Sequence, residues 1–237
     1  MTVTQRADYS PAAPGHWRRW FATWQRLVSE YCEATEYRDA PFYHSEPCNA
    51  GILASAAWQS GLVALQAYQG TSTMGSTSCK PDLWVASTGQ VVSEAIETKL
   101  MHFGGRGSER EVIDLFSTGA RQLSRVSPAD FEPHTAWTVV VFCVLSAAGG
   151  AGEDVSSETQ THLRRLSRLD ADAIVVCVPE RLLVIPAGKI HDYHHPGVVL
   201  MARQYTRQAL GDPLRLRSLR CAVSGPESVR QPWSRGA

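Results

Sequence analysis

Apolar positions along this chain follow two patterns. Some recur at the 3.6-residue spacing of a helix, and others form the short unbroken or alternating runs of a strand. Trp17, Trp20, Phe21, Trp24, Leu27, Val28 and Tyr31 keep helical spacing and predict a helix over 16–37 whose aromatic stripe faces the core. A second helix is predicted over 47–68, with Ser45 as its cap and Pro47 in its first turn. Its small residues, among them Ala50, Gly51, Ala54, Ala57, Gly61 and Ala64, suit close packing on a sheet. Residues 83–86 and 91–101 read as two strands joined by a turn at 87–90. Val112, Leu115, Phe116, Ala120 and Leu123 share one face of a helix over 109–126, which Ser108 can cap. The valine-rich run at 136–145 and the run at 173–178 read as strands buried on both faces. A helix over 157–169, a short strand over 182–185 and a closing helix over 198–210 complete the pattern. Residues 1–15, punctuated by Pro11 and Pro14, read as a loose leader.

The resulting order is helix, helix, strand, strand, helix, strand, helix, strand, strand, helix. It predicts an α/β fold with a mixed central sheet flanked by helices and an extra helix at the N-terminus. The expected organisation is a leader and aromatic helix over 1–40, a core over 41–200, and a basic helix and tail over 201–237.

Composition narrows the class. The chain has 237 residues, 43% hydrophobic and 19% charged, which is enough to bury a core without disulfides or structural metal. Six cysteines occur with no C-x-x-C pair, so zinc sites and disulfide frameworks are not expected and a reducing, cytoplasmic setting is. No apolar stretch reaches the roughly 18 residues of a membrane span, and the first residues lack the apolar segment of a secretory signal. Formal net charge is zero, so overall charge does not signal nucleic acid. The balance is uneven, however. From Met201 onward Arg203, Arg207, Arg215, Arg217, Arg220, Arg230 and Arg235 face only Asp212 and Glu227. A solvated tail and a phosphate-binding surface are both compatible with that run. Cations elsewhere are nearly all arginine; the lysines are Lys80, Lys99 and Lys189.

The chemistry concentrates in Lys80-Pro81-Asp82-Leu83-Trp84-Val85 and Glu94-Ala95-Ile96-Glu97-Thr98-Lys99-Leu100. Alternate side chains of a strand share a face, so Glu97 and Lys99 point the same way, roughly 7 Å apart, and Glu94 points the other way. A hairpin brings Asp82 beside Glu97. Adjacent carboxylates repel, and a divalent cation relieves that repulsion. Hard oxygen ligands with open water positions favour Mg²⁺ over zinc. Such a metal polarises a phosphate oxygen and lowers the pKa of a bound water. Lys99 can orient that water, accept its proton if its own pKa is depressed, or stabilise transition-state charge.

The pairing of Pro81-Asp82 with Glu97-Thr98-Lys99 resembles the motif of the PD-(D/E)xK nuclease superfamily, the restriction-endonuclease-like proteins. The order of elements over 47–145 is also similar to that family's core. The resemblance implies Asp82 and Glu97 as metal ligands and Lys99 as the catalytic lysine. It also implies a further acid on the first core helix, for which Glu46 is the candidate. Activity, by the same resemblance, is Mg²⁺-dependent hydrolysis of DNA phosphodiesters, with Mn²⁺ able to substitute and RNA open as a substrate. A homodimer would let two sites cut both strands, and defence against foreign DNA is the role by family analogy.

Other readings stand beside this one. Asp82 after Pro81 is also a turn pattern, and Glu97 with Lys99 also suits a solvated strand face. A nuclease-like fold can serve as a binding or assembly module without turnover. His191, His194 and His195 near Asp192 could centre a different metal hydrolase. Arg121 and Gln122 on the following helix, and His102 after the motif strand, are further candidates for substrate contact. The segment Gly104-Gly105-Arg106-Gly107 lacks the G-K-[ST] of a phosphate loop.

Overall fold

The apolar runs of the chain pair into a single mixed sheet with helices on both faces. The structure, a computed structural model, describes residues 5–67, 80–89, 91–104, 107–184 and 193–210. Its strands are β1 (Arg6–Tyr9), β2 (Val63–Gln66), β3 (Leu83–Ala86), β4 (Ser93–Phe103), β5 (Ala136–Ala147), β6 (Ala173–Cys177) and β7 (His194–Tyr205). Helices α1 (Gly15–Ala34), α2 (Glu46–Gln59), α3 (Glu109–Ser124), α4 (Ser156–Leu166) and α5 (Arg207–Leu210) alternate with them. The strand order is β1-β6-β7-β5-β4-β3-β2. β4 and β5 run parallel, joined by the α3 crossover, and the other neighbours are antiparallel. No helix of the described residues is long and apolar enough to cross a membrane.

Alternation along the strands divides the core into two layers. Ile96, Val140, Phe142, Val175 and Leu200 face α1 and α2, where Trp17, Trp20, Phe21 and Trp24 are fully buried. The aromatic stripe is thus core, as its spacing predicts. Val139, Val141, Cys143, Val199 and Met201 face the other way, onto Val112, Phe116 and Leu123 of α3 and Leu166 of α4. β5 is covered on both faces and flanked by β4 and β7, which is why its sequence is an almost unbroken apolar run. Ser108 starts α3 with a full capping box, its hydroxyl accepting from the Glu111 N–H while the Glu111 carboxylate accepts from the Ser108 N–H. Ser45 stands at the N-cap of α2 but makes no side-chain capping bond there.

Four elements differ from the sequence expectation. Residues 198–210 are not a closing helix: β7 runs to Tyr205, and α5 is only its short continuation. Val198-Val199-Leu200-Met201-Ala202 is an apolar run without strong periodicity, and the gap between β5 and β6 makes it a strand. The second helix ends at Gln59 rather than near 68. Gly61 takes a φ of 86°, which reverses the chain into β2 against β3. The strand expected at 182–185 is a 3-10 turn over Glu180–Leu183. The loose leader contains β1, which pairs with β6 at the sheet edge. Gln25 of α1 fastens that edge by donating to the carbonyls of Arg6 and Val176.

Candidate active site

β3 pairs with β4 only between Leu83↔Ile96 and Ala86↔Ser93, while β4 continues to Phe103. Beyond Ile96, therefore, the β3-side edge of β4 has backbone N–H groups that no strand of the described residues receives. Two carboxylates take that place. Asp82 Oδ2 accepts from the Thr98 N–H at 2.8 Å and from the Thr98 hydroxyl at 2.9 Å. Glu46 Oε2, from the first turn of α2, accepts from the Leu100 N–H at 2.9 Å. An edge opened by a short neighbouring strand thus gathers acids from two elements distant in sequence.

Lys99 stands among them. Its Nζ lies 2.7 Å from Glu97 Oε1, 2.6 Å from the Thr98 carbonyl oxygen and 3.5 Å from Glu46 Oε1. All four residues singled out from the sequence, Asp82, Glu97, Lys99 and Glu46, meet in one cluster. Glu97 is 4% exposed and packs under α3. Gly119 permits this approach: a Cβ there would lie 2.7 Å from Val139 Cγ1 and 3.5 Å from Glu97 Cγ.

The electrostatics follow from three acids sharing one lysine. Burial, then the negative charge of Asp82, pushes the Glu97 carboxyl up to about 7, against the pull of Lys99. Glu46 is raised by its own burial, with Lys99 opposing and Asp82 adding to the shift. Burial by itself would lower the Lys99 ammonium. Its hydrogen bond to Glu97 and the charges of Glu97, Glu46 and Asp82 outweigh that, and its pKa is raised. The proton-accepting role considered for Lys99 required a depressed pKa, so in this arrangement Lys99 is a fixed cation instead.

The donors available are carboxylate oxygens and the Thr98 carbonyl, with negative charge in excess. That chemistry fits a hard divalent ion such as Mg²⁺, which binds through one or two carboxylates and keeps several waters. Among the described residues no group of three or more His, Cys, Asp or Glu side chains is spaced to hold a metal. A cation here would therefore rest on two carboxylates, with water completing its shell.

The remaining candidates scatter. Arg121 and Gln122 are exposed on α3, and Arg121 donates to Thr118. His102 is exposed at one edge, with its ring 4.7 Å from that of His195, and partial burial of the ring lowers its pKa. His195 Nδ1 lies 3.2 Å from Ser146 Oγ and 3.3 Å from the Leu145 carbonyl oxygen. His194 is buried, and its Nε2 lies 2.5 Å from the Leu182 carbonyl oxygen, so these two histidines point to different surroundings. His191, Asp192, Gly105, Arg106 and the arginines from Arg215 onward lie outside the described residues. Glu94 is 1% exposed on the α1 side of the sheet and accepts from Trp17 Nε1 at 3.0 Å and from the Thr138 hydroxyl at 3.3 Å. Sequence reasoning missed Thr98, whose N–H and hydroxyl both hold Asp82. Its place between Glu97 and Lys99 was the available signal.

Comparison with known protein families, curated proteins and solved structures gives no match.

Proposed function

We propose that this protein is a metal-dependent phosphodiesterase acting on DNA, with Asp82 and Glu97 holding Mg²⁺ and Lys99 serving the attacking water. The observation that carries this reading is the cluster itself: three carboxylates and one lysine gathered at the open edge of β4, with burial and the Asp82 charge raising the Glu97 carboxyl to about 7. Bound there, the metal would polarise a phosphate oxygen and acidify a water. Lys99, kept protonated by its neighbours, would stabilise charge building on the phosphate oxygens. Glu46 would position Lys99 across their 3.5 Å contact. The resemblance of Pro81-Asp82 and Glu97-Thr98-Lys99 to the PD-(D/E)xK motif supports the same assignment. A restriction or defence role, and a homodimer that cuts both strands, extend it by analogy.

One observation favours a second reading. The Lys99 ammonium already bonds Glu97 and approaches Glu46, so the cluster is partly neutralised from within. A binding or assembly module of similar fold, without turnover, would keep such an arrangement as an internal tie. Cleavage of supercoiled plasmid in Mg²⁺, Mn²⁺ or EDTA separates the two. The expected result is metal-dependent nicking that disappears in Lys99→Ala, Asp82→Ala and Glu97→Ala proteins that remain folded. Cleavage that survives all three changes would sink the assignment, and binding of DNA without cleavage in either metal would favour the module.

A further inference from the structure

Thr98 stands between Glu97 and Lys99 in sequence, but strand alternation turns its side chain to the other sheet face, that of Ile96 and the layer under α1 and α2. It is 1% exposed. The backbone beside it explains why Asp82 comes to it. The Asp82 carbonyl accepts from the Ala67 N–H at 2.8 Å, away from β4, so the backbone groups of residues 81 and 83 face β4. The register that pairs Leu83 with Ile96 would place Pro81 opposite Thr98 if the ladder went on. Proline has no N–H to return, so a full pair cannot form there. The ladder stops, and the Asp82 side chain takes the Thr98 N–H in its place.

Thr98 then makes three polar contacts within the site. Its N–H and its hydroxyl donate to Asp82 Oδ2, at 2.8 and 2.9 Å, and its carbonyl accepts from Lys99 Nζ at 2.6 Å. Both bonds to Asp82 fall on one oxygen. Two charge-assisted bonds fix the rotation of the carboxylate. Among the described residues no hydrogen bond engages Asp82 Oδ1, and Glu97 meets Lys99 through Oε1 and not Oε2. A carboxylate free to rotate could instead close onto the Lys99 ammonium, and a cation would have to displace that ion pair before binding.

We infer that Thr98 is the positioning residue of this site: its hydroxyl and N–H together hold Asp82 away from Lys99, so that Asp82 offers Oδ1, and Glu97 offers Oε2, to a divalent cation. The inference rests on the reading of the cluster as a metal site and assigns to the residue between Glu97 and Lys99 the orientation of the first ligand. The hydroxyl is the part that can be removed by substitution, because the N–H remains in every variant. Valine keeps the shape of threonine and its preference for a strand while losing only the hydroxyl.

Mn²⁺ is the probe, and its free form is counted by electron paramagnetic resonance as the full chain is titrated. The unsubstituted protein should take up Mn²⁺, and Asp82→Ala should not. Thr98→Val and Thr98→Ala should bind Mn²⁺ about tenfold more weakly, as expected when a group that orients a metal ligand is lost. Thr98→Ser should restore most of that loss. In plasmid cleavage, Thr98→Val should need about tenfold more Mg²⁺ and recover most of its rate once Mg²⁺ is saturating; a merely structural lesion would lower the saturated rate instead. Thermal melting without metal confirms that each variant is folded, and if Thr98→Val unfolds, Thr98→Ala against Thr98→Ser decides. Mn²⁺ affinity unchanged in Thr98→Val and Thr98→Ala, or lost as fully in Thr98→Ser, overturns the role of the hydroxyl and leaves the metal site standing. Failure of the unsubstituted protein to take up Mn²⁺ overturns the metal site and the role of Thr98 with it. Uptake that follows the Thr98 pattern without any cleavage supports the role of Thr98 and removes hydrolysis.

Discussion

Glu97 concentrates the physical tension of the site in one residue. It is buried beside Asp82 with a single lysine to share, and its pKa rises from 4.5 to about 7. A raised carboxyl pKa means that the folded state binds its proton more tightly than the unfolded chain does. The stability this gives is fully present below about 4.5 and is lost as pH rises through about 7. The loss is on the order of 3 kcal/mol, since each tenfold change in proton affinity is worth about 1.4 kcal/mol. In EDTA the thermal midpoint should therefore fall across that window, and Glu97→Gln should flatten the fall. If the proposed Mg²⁺ site is real, adding Mg²⁺ at the upper end should raise the midpoint of the unsubstituted protein, because an ion held by the ionised carboxylate would favour the folded state. A wild-type midpoint that does not change with pH in EDTA would contradict this account. The members of the cluster were legible as candidates: the resemblance to the PD-(D/E)xK motif singled out Asp82, Glu97 and Lys99, and Glu46 as the further acid on the first core helix. The protonation of Lys99 was not, because it depends on how many acids the fold brings within reach of one ammonium.

Among the elements, α3 makes the site by coming close to β4 and β5. Gly119 is the contact point, and the helix has no room for a methyl group there. Gly119→Ala sets two effects against each other. Alanine improves helix propensity by up to about 1 kcal/mol. Overpacking against Val139 costs about 1–3 kcal/mol. The second should win, giving a net loss of roughly 1 kcal/mol in chemical denaturation, with a reduction of the proposed metal-dependent cleavage as Glu97 is displaced. A stabilised, fully active variant would mean that α3 moves freely over the sheet. The helix itself was visible in the sequence, since Ser108 and Glu111 bracket its first turn and its apolar face is regular. The role of Gly119 was not, because a glycine inside a helix announces close packing without naming what it packs against. Short apolar runs were the other blind spot. The stretch after Gly197 fits a strand or a buried helix equally well until its neighbours are known.

Across the molecule as a whole, the layer opposite the site is anchored by a second buried acid. Glu94 accepts from Trp17 Nε1 and Thr138 Oγ1, and His16 Nε2 stands 2.8 Å from Glu94 Oε1. This ties α1 to the centre of the sheet. Glu94→Ala would leave the Trp17 N–H buried without that acceptor and should cost about 3 kcal/mol in urea unfolding. Because Glu94 lies on the other side of β4 from Glu97, activity per folded molecule should be unchanged. A large loss of activity at full stability would show that the two layers communicate. The face on which each acid sits was readable from strand alternation; the partners that receive Glu94 were not.

Local periodicity and spacing were enough to set the α/β class, the aromatic helix, the buried central strand, the capped crossover helix and the residue types of the candidate site, because each is written within a few turns or one strand of chain. Packing between distant segments decided the strand identity of residues 194–205, the place of β1 at the sheet edge, and the meeting of Glu46 with Lys99. Those outcomes depend on which strand stops short and which neighbour fills the gap. Backbone groups left open at the edge of β4 had to find acceptors, and the acids that supply them come from residues 16 and 54 positions away in the chain.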